Sequence, residues 1–201
     1  YGQIEQSKQP NATQYMDYIA LTRAYLQCLV IYEGTQSISE KCKNLVQIKN
    51  TFPKLERVIL ELCRDLSMGV FWQEAMKATH IENLFDIFWK SEKKSVPFER
   101  IKNPHIQAIY QAKGWLKQPV KDNLTHTSQL SNTQQFHLET YALLQKYSKH
   151  KADLRFEYRC NECNHILPFY NARCPNCNAI ASLEVISKLT ECDNETHNPV
   201  L

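Results

Sequence analysis

The segment Tyr158-Arg-Cys-Asn-Glu-Cys163, followed ten residues later by Cys174-Pro-Asn-Cys177, carries the most informative pattern in this 201-residue chain. Each half is a Cys-x-x-Cys pair, and two such pairs can place four thiolates about 2.3 Å from a single metal ion. The ten-residue spacer is long enough for a short β-hairpin. The pattern therefore predicts a zinc-ribbon or rubredoxin-like module whose metal ligands are Cys160, Cys163, Cys174 and Cys177.

Four protein thiolates complete a tetrahedral shell, which leaves no position for water or substrate, so we expect a structural ion. Such an ion replaces the hydrophobic core that a module of roughly 30 residues cannot build alone. Zn²⁺ is the expected metal, and iron, which would carry electrons, is the less favoured choice. Two disulfides in place of a metal site, or His165 in place of one thiolate ligand, are disfavoured by the spacing of the four cysteines.

The remaining cysteines are typical of a reducing compartment. Cys28, Cys42 and Cys63 fall on apolar faces of predicted helices, where free cysteine acts as a small hydrophobe. The chain contains no run of 18 apolar residues, so it has no predicted transmembrane segment. Because the sequence begins with Tyr1, we expect its natural start to be missing. We expect a cytoplasmic protein, held at the inner face of a membrane if an upstream segment or a partner anchors it.

Apolar residues recur at helical spacing through 14–116, which predicts a helical domain after a polar N-terminal segment, 1–13. Ser37 and Glu40 form the capping-box pattern, and Pro53 is tolerated in a first helical turn. Only four glycines are present, which disfavours a β-rich fold or a glycine-rich phosphate loop. The predicted helices are 14–33, 38–50, one from 53 to 66, 70–79, 81–90 and 104–116, with a loop at 91–103.

The second part of the chain is predicted to consist of a polar linker, a helix and the metal module. The linker is 117–132, a helix at 133–150 leads to the module at 155–189, and the tail, 190–201, is expected to be disordered. A closing strand is expected at 179–186. The expected fold class is therefore mainly α, a helical array or bundle followed by a small C-terminal four-cysteine module.

The helical pattern leaves two architectures open, a tetratricopeptide-like array and a helical bundle without repeats. With Pro53 as the terminal proline of a 34-residue unit, large residues occupy the expected core positions, namely Tyr25, Tyr32, Leu45 and Ile48. Lys41 stands where such a unit has a small residue.

No catalytic constellation emerges from the residues, and we expect no enzyme activity. The histidines form no H-x-x-x-H or H-E-x-x-H pair. The net charge is +3, and the basic stretches 90–94 and 146–151 are short or interrupted, which favours solvated helix ends over nucleic-acid contacts. Trp89 and Trp115 are expected mostly in the core, with interface anchors as the alternative.

The metal module resembles the C-terminal rubredoxin-like domain of the lipopolysaccharide assembly protein B family. The similar features are Tyr158-Arg-Cys160, the ten-residue spacer, Cys174-Pro-x-Cys177, and the downstream Ile186 and Leu189. Where that family has Gly-Phe after the second cysteine, this chain has Asn164-His165. The order of helices first and metal module last is also similar.

The resemblance implies a bacterial, non-enzymatic adaptor with tetratricopeptide repeats, anchored in the inner membrane and facing the cytoplasm. Members of that family bring a membrane protease to an enzyme of lipid A synthesis. We therefore expect a helical scaffold with protein partners, including membrane-associated ones, and a structural zinc module. The runner-up is a zinc-ribbon nucleic-acid-binding factor, and an iron electron carrier comes third.

Overall fold

The computed structural model describes residues 12–116, 130–147 and 151–192. These residues form a mainly α-helical fold with a three-stranded antiparallel sheet and a cluster of four cysteines near the C-terminal end. The expected fold class is confirmed at this level. Within the same ranges, the search for a helix with the length and hydropathy needed to cross a bilayer gives no candidate.

The helices follow one another closely in the first half of the chain, and each of the first three packs against the next. Between α5 and α6, residues 91–103 contain two single 3₁₀ turns rather than a featureless loop. The helices are α1 (Ala12–Glu33), α2 (Ile38–Thr51), α3 (Glu56–Leu66), α4 (Met68–Ala75), α5 (Phe85–Lys90), α6 (Pro104–Ala112) and α7 (Asn132–Tyr147).

Local chemistry explains several helix boundaries. The Glu40 N–H donates to Ser37 Oγ (3.3 Å) and the Ser37 N–H donates to Glu40 Oε2 (3.1 Å), so the predicted capping box opens α2. Pro53–Leu55 forms a 3₁₀ turn before α3. The helix predicted at 81–90 begins as a second 3₁₀ turn, Ile81–Leu84, and becomes α-helical only at Phe85.

Several predicted helix ends differ from those in the structure by one to four residues. The helix predicted at 70–79 is α4, which begins at Met68 and ends at Ala75. α6 ends at Ala112 instead of 116. Gly114, two residues later, has the left-handed conformation (φ 69°) that is common after a helix. α7 begins at Asn132, inside the predicted linker, while 1–11, 117–129 and 148–150 lie outside the described residues.

The sheet is larger than the sequence suggested. Its strands are β1 (Lys151–Cys160), β2 (Ile166–Leu167) and β3 (Leu183–Cys192), in the order β2-β1-β3, with Tyr158 opposite Val185 and Leu167. β1 therefore starts four residues before the predicted module. β3 overlaps the second half of the strand predicted at 179–186 but begins only at Leu183 and continues to Cys192. Residues 190–192 therefore belong to the sheet rather than to a disordered tail.

One side of β1 is buried and the other faces solvent. Its inward residues alternate along the strand, as expected for a half-buried strand, and are Ala152, Leu154, Phe156, Tyr158 and Cys160. All of them except Ala152 join Phe85 and Phe88 of α5 in one continuous hydrophobic cluster that also includes Cys174. The cysteine module and the helices from α4 onward therefore share a core.

A second hydrophobic cluster joins α1, α2 and α3. It contains Cys28, Leu45, Ile59 and Cys63, and the cysteine module contributes Ile180 to it. Burial raises the pKa of Cys28 to about 11, as expected for a thiol in an apolar environment. The prediction that Cys28, Cys42 and Cys63 are buried hydrophobes is confirmed.

Candidate metal centre

The first Cys-x-x-Cys pair lies in a tight turn that follows β1. The Cys160 N–H donates to the His165 carbonyl (2.9 Å), and the Asn164 N–H donates to the Cys160 carbonyl (2.8 Å). Asn164 has φ 57°, a left-handed conformation that asparagine tolerates better than most residues. The turn therefore closes with an asparagine in the left-handed conformation.

The second pair repeats this backbone arrangement at the same relative positions. The Cys174 N–H donates to the Ala179 carbonyl (2.8 Å), and the Asn178 N–H donates to the Cys174 carbonyl (2.8 Å). Asn178 has φ 63°, close to the value at Asn164. An isolated bridge between Arg173 and Ile180 flanks this turn. Two equivalent turns thus present their cysteines to a common centre.

The spacing of the four sulfur atoms is compatible with a shared metal ion. The Cys160 and Cys177 Sγ atoms are 3.6 Å apart, the Cys163 and Cys174 Sγ atoms are 3.7 Å apart, and all four lie within 4.8 Å of one another. Metal–sulfur bonds of about 2.3 Å in a tetrahedron place neighbouring sulfurs roughly 3.8 Å apart. None of the four is in a disulfide. The donor set and its spacing therefore fit one thiophilic ion.

Backbone amides and polar side chains favour the anionic form of two of these thiols. Burial alone would raise the pKa of Cys160, but the Ser182 hydroxyl, 3.3 Å from its Sγ, and the amides of Cys163 and Glu162 lower that pKa to about 6. The Asn176 side chain and the His165 amide lower the pKa of Cys163. The thiolate is the form of cysteine that binds a metal cation, so these lowered pKa values favour metal binding.

Cys177 behaves in the opposite way. The Ala179 amide favours its thiolate, yet burial and the three neighbouring sulfurs together raise its pKa to about 12. Several sulfurs so close together cannot all carry unit negative charge without a cation among them. A cation bound among the four sulfur atoms would therefore stabilise all of the thiolates together.

Burial differs between the two sides of the cluster. Cys160 and Cys174, the first cysteine of each pair, are fully buried, whereas Cys163 is half-buried and Cys177 is exposed. The first cysteines are thus fixed by the core. The second cysteines leave a route by which an ion can enter or leave.

A buried polar network fixes the module to the helices. Tyr158, two residues before the first cysteine, donates from Oη to Asp86 Oδ2 (2.6 Å). Arg57 of α3 donates from Nη1 to Oδ1 (2.7 Å) and from Nη2 to Oδ2 (2.8 Å) of the same carboxylate. The Arg57 guanidinium also lies 3.8 Å from the ring centroid of Tyr170, in the loop between the cysteine pairs.

The network keeps its charges ionised despite burial. Burial would raise the pKa of Asp86, but the hydrogen bonds and charge of Arg57 and the Tyr158 hydroxyl hold that pKa below its ordinary value. Burial would lower the pKa of Arg57, and the hydrogen bonds and charge of Asp86 raise it instead. Both side chains are more than nine-tenths buried, so each charge depends on the other.

Sequence reasoning did not single out Arg57 or Asp86, which are 29 residues apart. A signal was present, because Asp86 stands in the otherwise apolar run Phe85-Asp-Ile-Phe-Trp89. Trp89 is itself part of the core and donates from Nε1 to Asp153 Oδ1 (3.0 Å). Trp115 is partly buried and stacks on Tyr110.

His165 does not complete the cluster. In the described part of the chain, the group of side chains close enough to share an ion consists of Cys160, Cys163, Cys174 and Cys177. His165 contributes its backbone carbonyl and amide to the first turn, while its side chain is exposed.

The class of this protein is defined by its fold and its site, because comparisons with known proteins give no match. No protein-family model, no curated protein and no solved structure matches this chain. The class is a mainly helical protein with a C-terminal cluster of four free cysteines that can hold a metal ion.

Proposed function

We propose that the protein is a non-enzymatic adaptor that acts through protein–protein contacts and carries a structural Zn²⁺ ion. The observation that supports this most directly is the close approach of four thiols in two equivalent turns. Because the protein would supply all four ligands, the ion has no open position for substrate or water. Its role is then to maintain the shape of the module and of the surface around it.

The chemistry of the cluster favours zinc over iron. Zn²⁺ prefers tetrahedral thiolate sites and carries no redox chemistry, which agrees with a structural role. The two turns and the short sheet are consistent with a zinc ribbon or a rubredoxin-like module. An iron-containing electron carrier is the less favoured function, and it would be coloured when purified.

The helical part is suited to a scaffold. Successive packing of α1 to α4 is compatible with a tetratricopeptide-like array, and such arrays present extended binding surfaces. Taken with the resemblance to the lipopolysaccharide assembly protein B family, this supports a cytoplasmic adaptor at the inner face of a membrane. The proposed partners are proteins, membrane-associated ones among them.

Nucleic-acid binding is the second candidate, favoured by one feature of the module. Phe169 is 75% exposed and lies in the same loop as the exposed Arg173, and stacking beside a cation is a common way to hold single strands. The charges on the outer face of the sheet favour the adaptor function over nucleic-acid binding. Its charges are paired across strands, Arg159 with Glu184 and Glu157 with Lys188, which reduces the positive charge available to phosphates.

The test is affinity capture from a source-cell lysate that includes membranes, with three baits. They are the wild type, Cys174→Ser, and Cys28→Ala as a control that removes a buried thiol outside the cluster. Each bait is analysed for bound metal, and captured proteins are purified and tested for direct binding. The proposal predicts a protein partner that binds the wild type and the control directly and is lost with Cys174→Ser.

Two results would contradict the proposal. Recovery of nucleic acid, with salt-dependent binding and no direct protein partner, would establish the second candidate. Full zinc content in Cys174→Ser would show that the four-thiolate assignment is wrong.

A further inference from the structure

An open groove with a volume of about 440 Å³ runs beside α4. Its first wall is formed by Met68, Gly69, Trp72 and Gln73 of α4 and by Met76, the residue that follows the helix. The opposite wall comes from the segment 95–100. None of the four cysteines of the candidate metal centre lines this groove.

Apart from Gln73, the side chains of the α4 wall are apolar, and its methionines are flexible. Met68 is 42% exposed, although it is a large apolar residue. Unbranched methionine side chains fit partners of different shapes, which is why they are common at peptide-binding surfaces. Gly69 leaves the wall open, since a Cβ atom there would meet nothing closer than Ser67 Oγ at 3.9 Å.

The groove combines apolar side chains with one charge that has no ion-pair partner in the described ranges. The indole ring of Trp72 is 4% exposed and lines the groove. On the opposite wall, the exposed guanidinium of Arg100 forms no ion pair within the described ranges.

We propose that this groove binds a short segment of a partner protein that carries two apolar side chains and a carboxylate. The apolar side chains would pack between Met68 and Met76 against the ring of Trp72, and the carboxylate would pair with Arg100. The groove is open along its length, whereas sites for small molecules enclose most of the ligand surface. This inference rests on the proposed adaptor function, for which it supplies one contact site.

The experiment selects random peptides, displayed on phage, against the full chain. The enriched peptides are then synthesised, and their dissociation constants are measured by fluorescence anisotropy. Gly69→Phe fills the groove from a position with free space, and Arg100→Glu reverses its charge. Arg23→Glu is the matched control, because Arg23 is an exposed arginine on α1, outside the groove.

The proposal predicts enriched peptides with an acidic residue beside two apolar residues, and affinities at least about tenfold weaker for both groove variants. The control should bind as the wild type does. If no peptide is enriched, or if either folded groove variant keeps wild-type affinity, the proposal is wrong. Binding of dodecanoate in the groove without peptide enrichment would assign it to small amphiphiles and overturn the proposal as well.

This experiment can fail independently of the proposed function. If Gly69→Phe and Arg100→Glu baits still capture the same directly binding partner as the wild type, the adaptor function stands and the groove assignment fails. If the wild type itself captures no direct protein partner, the adaptor function fails.

Discussion

Tyr158 Oη donates a 2.6 Å hydrogen bond to Asp86 Oδ2, which joins β1 to α5 two residues before the first cysteine of the cluster. Arg57 occupies both oxygens of the same carboxylate and stacks on Tyr170. The strand that enters the first cysteine turn and the loop between the turns are therefore fixed to the same charged pair. Disturbing that pair should affect both the helices and the cysteine module.

Asp86→Asn should destabilise the fold strongly. The substitution removes the buried carboxylate that pairs with the Arg57 guanidinium and leaves only Glu61, which is partly exposed and 3.2 Å away, as a counter-charge. Breaking a buried ion pair in this way costs about 3–5 kcal/mol, and Glu61 should keep the loss near the lower end of that range. We expect a lower urea midpoint, measured by circular dichroism. Glu92→Gln is the control, since the Lys94–Glu92 pair is largely exposed and its loss should change stability by less than about 1 kcal/mol. Equal midpoints for the two variants would show that the buried pair is unimportant.

Tyr158→Phe should have a smaller effect on unfolding. It removes one hydrogen bond to Asp86 but leaves both Arg57 contacts in place, so we expect a loss of about 1–2 kcal/mol. A double-mutant cycle with Asp86→Asn measures the coupling directly. Additive free energies of unfolding would mean that the two side chains do not stabilise each other.

The contribution of Asp86 should depend on pH in one direction. Its folded pKa lies below its ordinary value, so its stabilisation is complete above the unfolded pKa of about 3.9 and is lost as pH falls through the folded pKa. The free-energy difference between wild type and Asp86→Asn should therefore shrink below about pH 4. Urea unfolding of both proteins from pH 7 to pH 3 checks this, and a constant difference would contradict it.

The sequence was sufficient to predict that the four cysteines lie close together, because each pair is local and its spacing is specific. It was also sufficient for the start of α2, where Ser37 and Glu40 act within one turn. β1 was missed although its buried residues alternate from Ala152 to Cys160. That period-two pattern was visible, but the expectation of a small metal module placed its start at 155.

The Arg57–Asp86–Tyr158 network could not be predicted in the same way. Asp86 is 29 residues from Arg57 and 72 residues from Tyr158, and the pairing depends on how α3, α5 and β1 pack. A charged residue inside an apolar run, such as Asp86, can be recognised from sequence as a buried group that needs a partner. Which residue supplies that partner is decided by tertiary packing.

Asn164 and Asn178 both have left-handed conformations, which glycine adopts freely and β-branched residues do not. Asn164→Val places a β-branched side chain at φ 57°, which should cost about 1–2 kcal/mol and weaken metal binding roughly tenfold. Asn164→Gly should bind zinc at least as well as the wild type, because glycine adopts this conformation freely. Competition with a chromophoric chelator measures both affinities. The same zinc affinity in the Val and Gly variants would show that turn geometry does not limit binding.

Loss of one cysteine of the cluster should loosen more than the cysteine module. Cys160 and Cys174 belong to the cluster that includes Phe85 and Phe88, so a loss of ligand geometry should reach α5 and α7. α1 to α3 pack around a second cluster to which the module contributes Ile180, and they should stay protected. Hydrogen exchange of Cys174→Ser, compared with Cys28→Ala, is expected to rise in 85–90, 132–147 and 151–192 but not in 38–66. An increase confined to 158–180 would mean that the module unfolds alone, and the shared core would then contribute little to its stability.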